Sequence, residues 1–278
     1  MTSTYPKRST MILGTGTLAL VALLGMGGTV ANAAAPAAAP SAVAPSATDG
    51  WVRIAHLSPD TKAVDITVAD LSGGKKLFEL DDVAYGTVTP YEHFPAGTYI
   101  VSMTPWNEKA SSKAKPILSA SLKIVQGKSV TLAALGTTKN LKTKVFQDNL
   151  TAPAPGDARI RIIQASTITR SVTVTTTAGG LIASDALAGS ATTYATVSAG
   201  TWTLEVRGKM MTDASRVALS AGSVETLFVL DTAKGGFTVK PVVDSASVGG
   251  TDPIGGISTG GGWAATNDPS AVGLPGTR

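Results

Sequence analysis

One unit is written twice in this chain, and the repeat limits the folds open to it. Arg53-Ile54-Ala55-His56-Leu57-Ser58 aligns with Arg161-Ile162-Ile163-Gln164-Ala165-Ser166, and without a gap Val64-Asp65-Ile66-Thr67-Val68 falls against Val172-Thr173-Val174-Thr175-Thr176. Next, Pro90-Tyr91-Glu92-His93-Phe94-Pro95-Ala96-Gly97-Thr98-Tyr99 is answered by Thr193-Tyr194-Ala195-Thr196-Val197-Ser198-Ala199-Gly200-Thr201-Trp202. Gly127-Lys128-Ser129-Val130-Thr131-Leu132 then matches Gly222-Ser223-Val224-Glu225-Thr226-Leu227, and Lys144-Val145-Phe146-Gln147-Asp148 parallels Lys240-Pro241-Val242-Val243-Asp244. Landmarks that recur in one order define a duplicated structural unit.

Within each unit the apolar period is two. After Gly200, Trp202, Leu204 and Val206 share one face and Thr203, Glu205 and Arg207 the other, as in a strand with one buried face. Gly97 and Gly200 stand where a hairpin turn takes a positive φ, so both flanking stretches read as strand, tight turn, strand. Each unit holds seven or eight such segments separated by turn signals, the pattern of a β-sandwich. Leu227-Phe228-Val229-Leu230 is a continuous apolar run and reads as a central strand covered on both sides. Val and Thr favour strands, and no segment after residue 34 carries a long capped helical period. The expected fold is all-β: two tandem immunoglobulin-like antiparallel β-sandwich domains with a disordered Gly-rich C-terminal tail.

The flanks set the organisation. Residues 1–33 read as a signal peptide: Lys7 and Arg8, an apolar run from Met11 to Val30, and Ala31-Asn32-Ala33 as an A-x-A cleavage site. A retained anchor is the rival, but the run holds five glycines and three threonines, and small residues follow at once. Residues 34–49 are an Ala/Pro-rich linker, 50–150 the first sandwich, 151–156 a short proline-bearing linker, and 157–246 the diverged second sandwich. Glycine density over 247–278 makes ordering costly, so that stretch reads as a flexible tail.

Composition closes several function classes. There is no cysteine, hence no thiol nucleophile, zinc–thiolate site or disulfide. Net charge is +4, and +2 once Lys7 and Arg8 are removed, with the basic residues scattered; nucleic acid is not an expected partner. The mature chain holds no transmembrane segment by this reading, and no cofactor is expected.

The candidate chemistry lies in the first unit. His56, Asp60, Asp65 and His93 form a polar set that the second unit lacks. Two histidines and a carboxylate suggest a metal-dependent enzyme using His56 and His93, but no His-x-His or His-x-x-x-His spacing supports it. A Ser58, His56, Asp65 triad is conceivable by residue type, yet no Gly-x-Ser-x-Gly elbow is present. The plain reading has His56 and Asp60 bonding the backbone of the turn Ser58-Pro59-Asp60-Thr61. Trp106, Lys109 and Lys113 occupy a loop unique to the first unit and are the candidate ligand contacts, for a sugar or wall polymer. Tyr91, Tyr194, Tyr99 and Trp202 read as core, and Trp263 in the tail as a short anchoring motif.

Trp51-Val52-Arg53-Ile54-Ala55-His56-Leu57-Ser58-Pro59-Asp60, followed by Ala63-Val64-Asp65-Ile66-Thr67-Val68, resembles the opening of the bacterial domain of unknown function family DUF4397. The later Ala96-Gly97-Thr98-Tyr99 and Gly127-Lys128-Ser129-Val130-Thr131-Leu132 fit it too. The resemblance covers 50–150 well. It weakens over 157–246, where His56, Pro59, Asp60 and Asp65 become Gln164, Thr167, Ile168 and Thr173. It implies a secreted or cell-surface protein built on β-sandwiches and implies no activity. The expectation is therefore a secreted, non-enzymatic module of the cell envelope or extracellular space, whose partner is a wall polymer or another envelope protein.

Overall fold

Among the described residues, sixteen strands carry the fold. The structure is a computed structural model and describes residues 48–72, 74–106 and 114–245. The expected signal peptide, nearly all of the first linker and the glycine-rich tail, with Trp263, lie outside the described residues, as do Lys109 and Lys113. Among the described residues no helix is long and apolar enough to cross a membrane.

The first unit contributes β1 (Asp49–Leu57), β2 (Val64–Asp70), β3 (Lys76–Val83), β4 (Glu92–Pro95), β5 (Gly97–Pro105), β6 (Leu118–Ile124), β7 (Ser129–Leu135) and β8 (Lys142–Asp148). The second repeats them as β9 (Asp157–Gln164), β10 (Ser171–Thr176), β11 (Leu181–Leu187), β12 (Ala195–Ser198), β13 (Gly200–Arg207), β14 (Thr212–Leu219), β15 (Val224–Asp231) and β16 (Phe237–Ser245). Each unit forms two four-stranded sheets, ordered β4-β1-β7-β8 and β3-β2-β5-β6 in the first, β12-β9-β15-β16 and β11-β10-β13-β14 in the second.

Alternation decides what each sheet buries. Val52 and Ile54 of β1 meet Val64, Ile66 and Val68 of β2 in one sandwich core. Ile160 and Ile162 of β9 meet Val172 and Val174 of β10 in the other. The opposite faces of β1, β7, β8, β9 and β15 meet in a third core, where Ala55, Leu57, Ala133 and Phe146 pack with Ile163, Ala165, Phe228 and Leu230. The two inner sheets therefore face each other across a seam. This is why Leu227-Phe228-Val229-Leu230 is apolar throughout: Leu227 and Val229 enter the sandwich core, Phe228 and Leu230 the seam.

Two details depart from the sequence reading. Every inner sheet contains one parallel pair, β1 with β7 and β9 with β15, among otherwise antiparallel neighbours. Being covered on both faces, these sheets suit a parallel pair. The repeated Tyr91–Tyr99 and Tyr194–Trp202 stretches are not hairpins either. β4 bonds β1 while β5 bonds β2 and β6, so Pro95-Ala96-Gly97 is a corner where the chain leaves one sheet for the other. Gly200 has the expected positive φ of 139°, whereas Gly97 is absent from the positive-φ set. Gly97 lies under the Tyr99 ring, where an added Cβ would be in ordinary contact at 3.4 Å. That ring crosses the corner so that its hydroxyl donates to Pro95 O at 2.7 Å, and Trp202 Nε1 donates to Ser198 O at 3.1 Å in the same place of the second sandwich.

Candidate functional site

The expected polar set of the first sandwich is dispersed. His56 is wholly buried near the end of β1, and its Nε2 faces Lys62 O at 3.4 Å. Burial pushes the imidazole below its ordinary value, with backbone contacts to Lys62 and Thr61 opposing, so it is held neutral. His93 pairs through Nδ1 with Asp49 Oδ2 at 3.0 Å and meets the Trp51 ring edge-on at 5.6 Å. Trp51 is opposite His93, and His56 lies five residues farther along β1, about 16 Å away at strand rise. An odd residue spacing also places the two histidines on opposite faces of the sheet. One ion cannot take both, and among the described residues no group of three His, Asp or Glu side chains is placed to hold a metal.

Asp60 and Asp65 tie down backbone. Thr138 N donates to Asp60 Oδ1 at 2.8 Å, and Asp82 N donates to Asp65 Oδ1 at 3.1 Å where Asp82 takes a positive φ of 54°. Ser58 Oγ is engaged by Thr61 Oγ1 at 2.7 Å and donates to Asp60 at 3.4 Å, so the hydroxyl faces the turn and makes no bond to His56. The triad of Ser58, His56 and Asp65 is not assembled. Trp106 is half-buried at the foot of its loop, its backbone N–H donating to Ala63 O at 2.9 Å.

The side chains that the fold does bring together lie in the seam. Arg53 of β1 and Arg161 of β9 enter it side by side, 1% and 2% exposed. Each guanidinium crosses to the other sandwich. Arg53 Nη1 lies 2.7 Å from Asp244 Oδ1 of β16, an ion pair without linear hydrogen-bond geometry, and Arg161 Nη2 pairs with Asp148 Oδ1 of β8. Arg53 Nη2 donates to Thr226 Oγ1 at 3.1 Å, and Arg161 Nη1 donates to Gln147 O at 2.9 Å. Within its own sandwich, Arg53 Nε donates to Thr131 Oγ1 at 2.8 Å and Arg161 Nε to Thr226 Oγ1 at 3.0 Å. Those hydroxyls pass the chain on: Thr131 donates to Asp148 Oδ2 and Thr226 to Asp244 Oδ2, both at 2.7 Å. Tyr91 donates to Asp148 Oδ2 at 2.6 Å and Tyr194 to Asp244 Oδ2 at 2.8 Å. Finally Arg53 stacks over the Tyr91 ring at 4.7 Å and Arg161 over Tyr194 at 4.8 Å.

The result is an approximate twofold inside one chain, in which each carboxylate collects an arginine, a threonine and a tyrosine. Burial disfavours the Arg53 charge, but Asp244 and the neighbouring network outweigh it and hold the guanidinium above its ordinary range. Burial likewise raises the Tyr91 and Tyr194 hydroxyls far above theirs, so both remain donors. Buried pairs of this kind confer geometric definition; removing one partner strands a charge.

Tyr91 is buried as the sequence pattern predicts and Tyr194 is half-buried, and the arginines and aspartates that join them are not among the expected site residues. The signal was available: Arg53/Arg161, Tyr91/Tyr194, Thr131/Thr226 and Asp148/Asp244 are paired positions of the repeat. What the alignment lacks is the fact that the two copies face each other.

A search of curated proteins finds no match. Among solved structures the chain is similar to the TIE protein of Bacillus anthracis, at 10% identity and TM-score 0.24, covering 66% of this chain and 34% of that one. A Bacteroides uniformis protein proposed to act in cell adhesion gives 9% identity and TM-score 0.22 over 72% of this chain and all of its own. A family 26 carbohydrate-binding module of Eubacterium rectale Amy13K, solved with maltoheptaose, gives 12% and 0.22 over 71% of this chain and 97% of its own. The chain thus spans about a third of the first of these and nearly all of the other two. Likenesses this low assign neither ligand nor role. The model of the domain of unknown function DUF4397 matches residues 50–175, past the expected end at 150, so the matched segment includes β9 with Arg161. Residues 50–175 therefore carry a DUF4397 domain.

Proposed function

We propose that this protein is a secreted, non-enzymatic module of the cell envelope, in which two β-sandwiches locked face to face present their outer loops to another envelope component. The observation that supports this most directly is the use made of buried charge. Both carboxylates of the seam are neutralised by the opposite sandwich's arginine, and both tyrosines are committed to them. A catalytic constellation keeps a group poised for substrate; this one is spent on joining the sandwiches. The histidines and carboxylates of the first sandwich are likewise taken up in separate backbone and side-chain contacts. The wall-polymer reading rests on the loop that begins at Trp106 and carries Lys109 and Lys113.

Fractionation of producing cells tests the placement. The protein is expected in the medium or the wall fraction with an N-terminus following Ala33; a cytoplasmic protein retaining residues 1–33 overturns it. Co-sedimentation of the secreted protein with purified walls then separates the partners. Salt-sensitive pelleting lost in Trp106→Ala identifies a wall polymer, and protein that stays in the supernatant overturns the wall-polymer reading and leaves a protein partner to be sought.

A further inference from the structure

The approximate twofold of the seam is broken at one place, and the break leaves a cleft. The loop after β3 and the loop after β11 dock alike. Gly86 N donates to His56 O at 2.7 Å and Gly189 N to Gln164 O at 2.7 Å; His56 N donates to Thr87 O and Gln164 N to Ser190 O. A Cβ on Gly86 would sit 3.6 Å from Leu230 Cδ1, and one on Gly189 3.8 Å from Leu135 Cδ1. The residue before each glycine is therefore equivalent, Tyr85 in one loop and Ala188 in the other.

Tyr85 fills its end of the seam. Its ring packs on the seam core, Asp231 N donates to its hydroxyl at 2.8 Å, and the hydroxyl donates to Asp231 O at 3.2 Å. Burial raises that hydroxyl to about 12, so it is a neutral phenol. Lys240 Nζ closes the same end by donating to Gly86 O at 2.7 Å. At the other end Ala188 supplies no ring, Gly136 holds the position of Asp231, and Lys144 lies instead 5.5 Å from the Phe146 ring centroid. A cleft of about 460 Å³ stands there, lined by Leu135, Gly136, Ala165, Thr167, Ala188 and Gly189, with Lys142 and Lys144 also in its wall. The size falls within the roughly 300–1,000 Å³ of small-molecule sites.

We propose that this cleft is a binding site for a phenolic ring, which takes at Ala188 and Gly136 the place that Tyr85 takes at Asp231. The protein's own closed end is the template: a phenol lying on the apolar seam, with its hydroxyl on the backbone of Asp231, the residue after the last leucine of β15, a place that Gly136 takes after the last leucine of β7. A free phenol and the side chain of a tyrosine in a peptide share that chemistry.

The test is an amide NMR titration of the secreted protein with p-cresol, the tyrosine side chain as a free molecule. Shifts confined to Leu135–Thr137, Ala165–Thr167 and Ala188–Gly189, with an affinity on the order of millimolar for so small a probe, are the expected result. Ala188→Tyr fills the cleft and should weaken binding at least roughly tenfold, while Tyr85→Ala should open a second site around Leu230 and Asp231. Competition by N-acetyltyrosinamide assigns the site to tyrosyl peptides, and failure to compete assigns it to small phenols. Shifts that are absent or lie elsewhere, or binding that survives Ala188→Tyr, overturn the proposal. Ala188 is exposed, so that variant keeps the test valid even where Tyr85→Ala does not fold.

Discussion

The first sandwich fixes its turns with His56, Asp60 and Asp65, and the second fixes equivalent turns with Gln164, Asp231 and Thr173. His56 faces Lys62 O, whereas Gln164 Oε1 accepts from Ser166 N. Asp60 accepts from Thr138 N, and Asp231 from Thr167 N. Asp65 accepts from Asp82 N, and Thr173 Oγ1 accepts from Asp185 N at 3.3 Å, both donors having positive φ. In the buried charge network of the seam no such exchange occurs: Arg53 answers Arg161, Asp148 Asp244, Tyr91 Tyr194 and Thr131 Thr226. A turn near solvent needs one acceptor within reach, which several side chains supply. A buried charge needs its own counter-ion, and any other residue there leaves it uncompensated.

The largest effects should therefore come from the seam, and they should be matched across the repeat. Asp148→Ala strands Arg161, and Asp244→Ala strands Arg53. Each should cost about 3–5 kcal/mol in denaturant unfolding, an effect that reaches both sandwiches because the lost pair joins them. A loss under about 1 kcal/mol in either variant would place that pair among merely tolerated contacts. Such an outcome would end the distinction between seam and turns.

Much of this architecture was legible in the sequence, and the reason is period. Strict alternation at Trp202, Leu204 and Val206 and the continuous run at Leu227–Leu230 are direct consequences of one-sided and two-sided burial. The corner at Gly97 and Gly200 was not legible as a corner, because Pro-Ala-Gly and Ser-Ala-Gly between two strands look alike whether the strands pair or part. The seam was hidden for a different cause. Arg53, Asp148, Arg161 and Asp244 lie far apart in sequence, and charged residues in strands ordinarily face water. Only the stacking of one copy on the other makes their repetition meaningful. His56 is one of two histidines in the chain, and only the fold shows that its Nε2 faces the Lys62 carbonyl at a turn.

A smaller effect sharpens the twofold. Tyr91→Phe and Tyr194→Phe each remove one hydroxyl from a carboxylate that keeps its arginine and its threonine. Each should cost about 1.5–3 kcal/mol, the scale of a hydrogen bond to a charged group, and the two costs should be similar. The double variant should depart from additivity, because Thr226 accepts from both arginines and couples the two halves. Equal and independent losses would mean two separate networks, whereas unequal losses would mean the pseudo-twofold is geometric and not energetic.

The smallest effect tests the turns. His56 is neutral in the folded protein because burial lowers its affinity for a proton below the ordinary 6.5. The unfolded chain takes up that proton first as pH falls through 6.5, so protonation favours unfolding there. Stability contributed by His56 is therefore full above about 6.5 and declines as pH drops toward the lowered folded value. His56→Gln imports the residue that the second sandwich already uses at this position. It should fold, keep most of its stability at neutral pH, and show a flatter stability–pH curve below 6.5 than the parent; His93 is present in both proteins and cancels in the difference. Urea unfolding of the two proteins at a series of pH values measures this slope. Parallel curves would show that His56 is protonated equally in both states. A large loss at neutral pH would show that the imidazole does more than hold Lys62, and that the turns of the two sandwiches are not interchangeable after all.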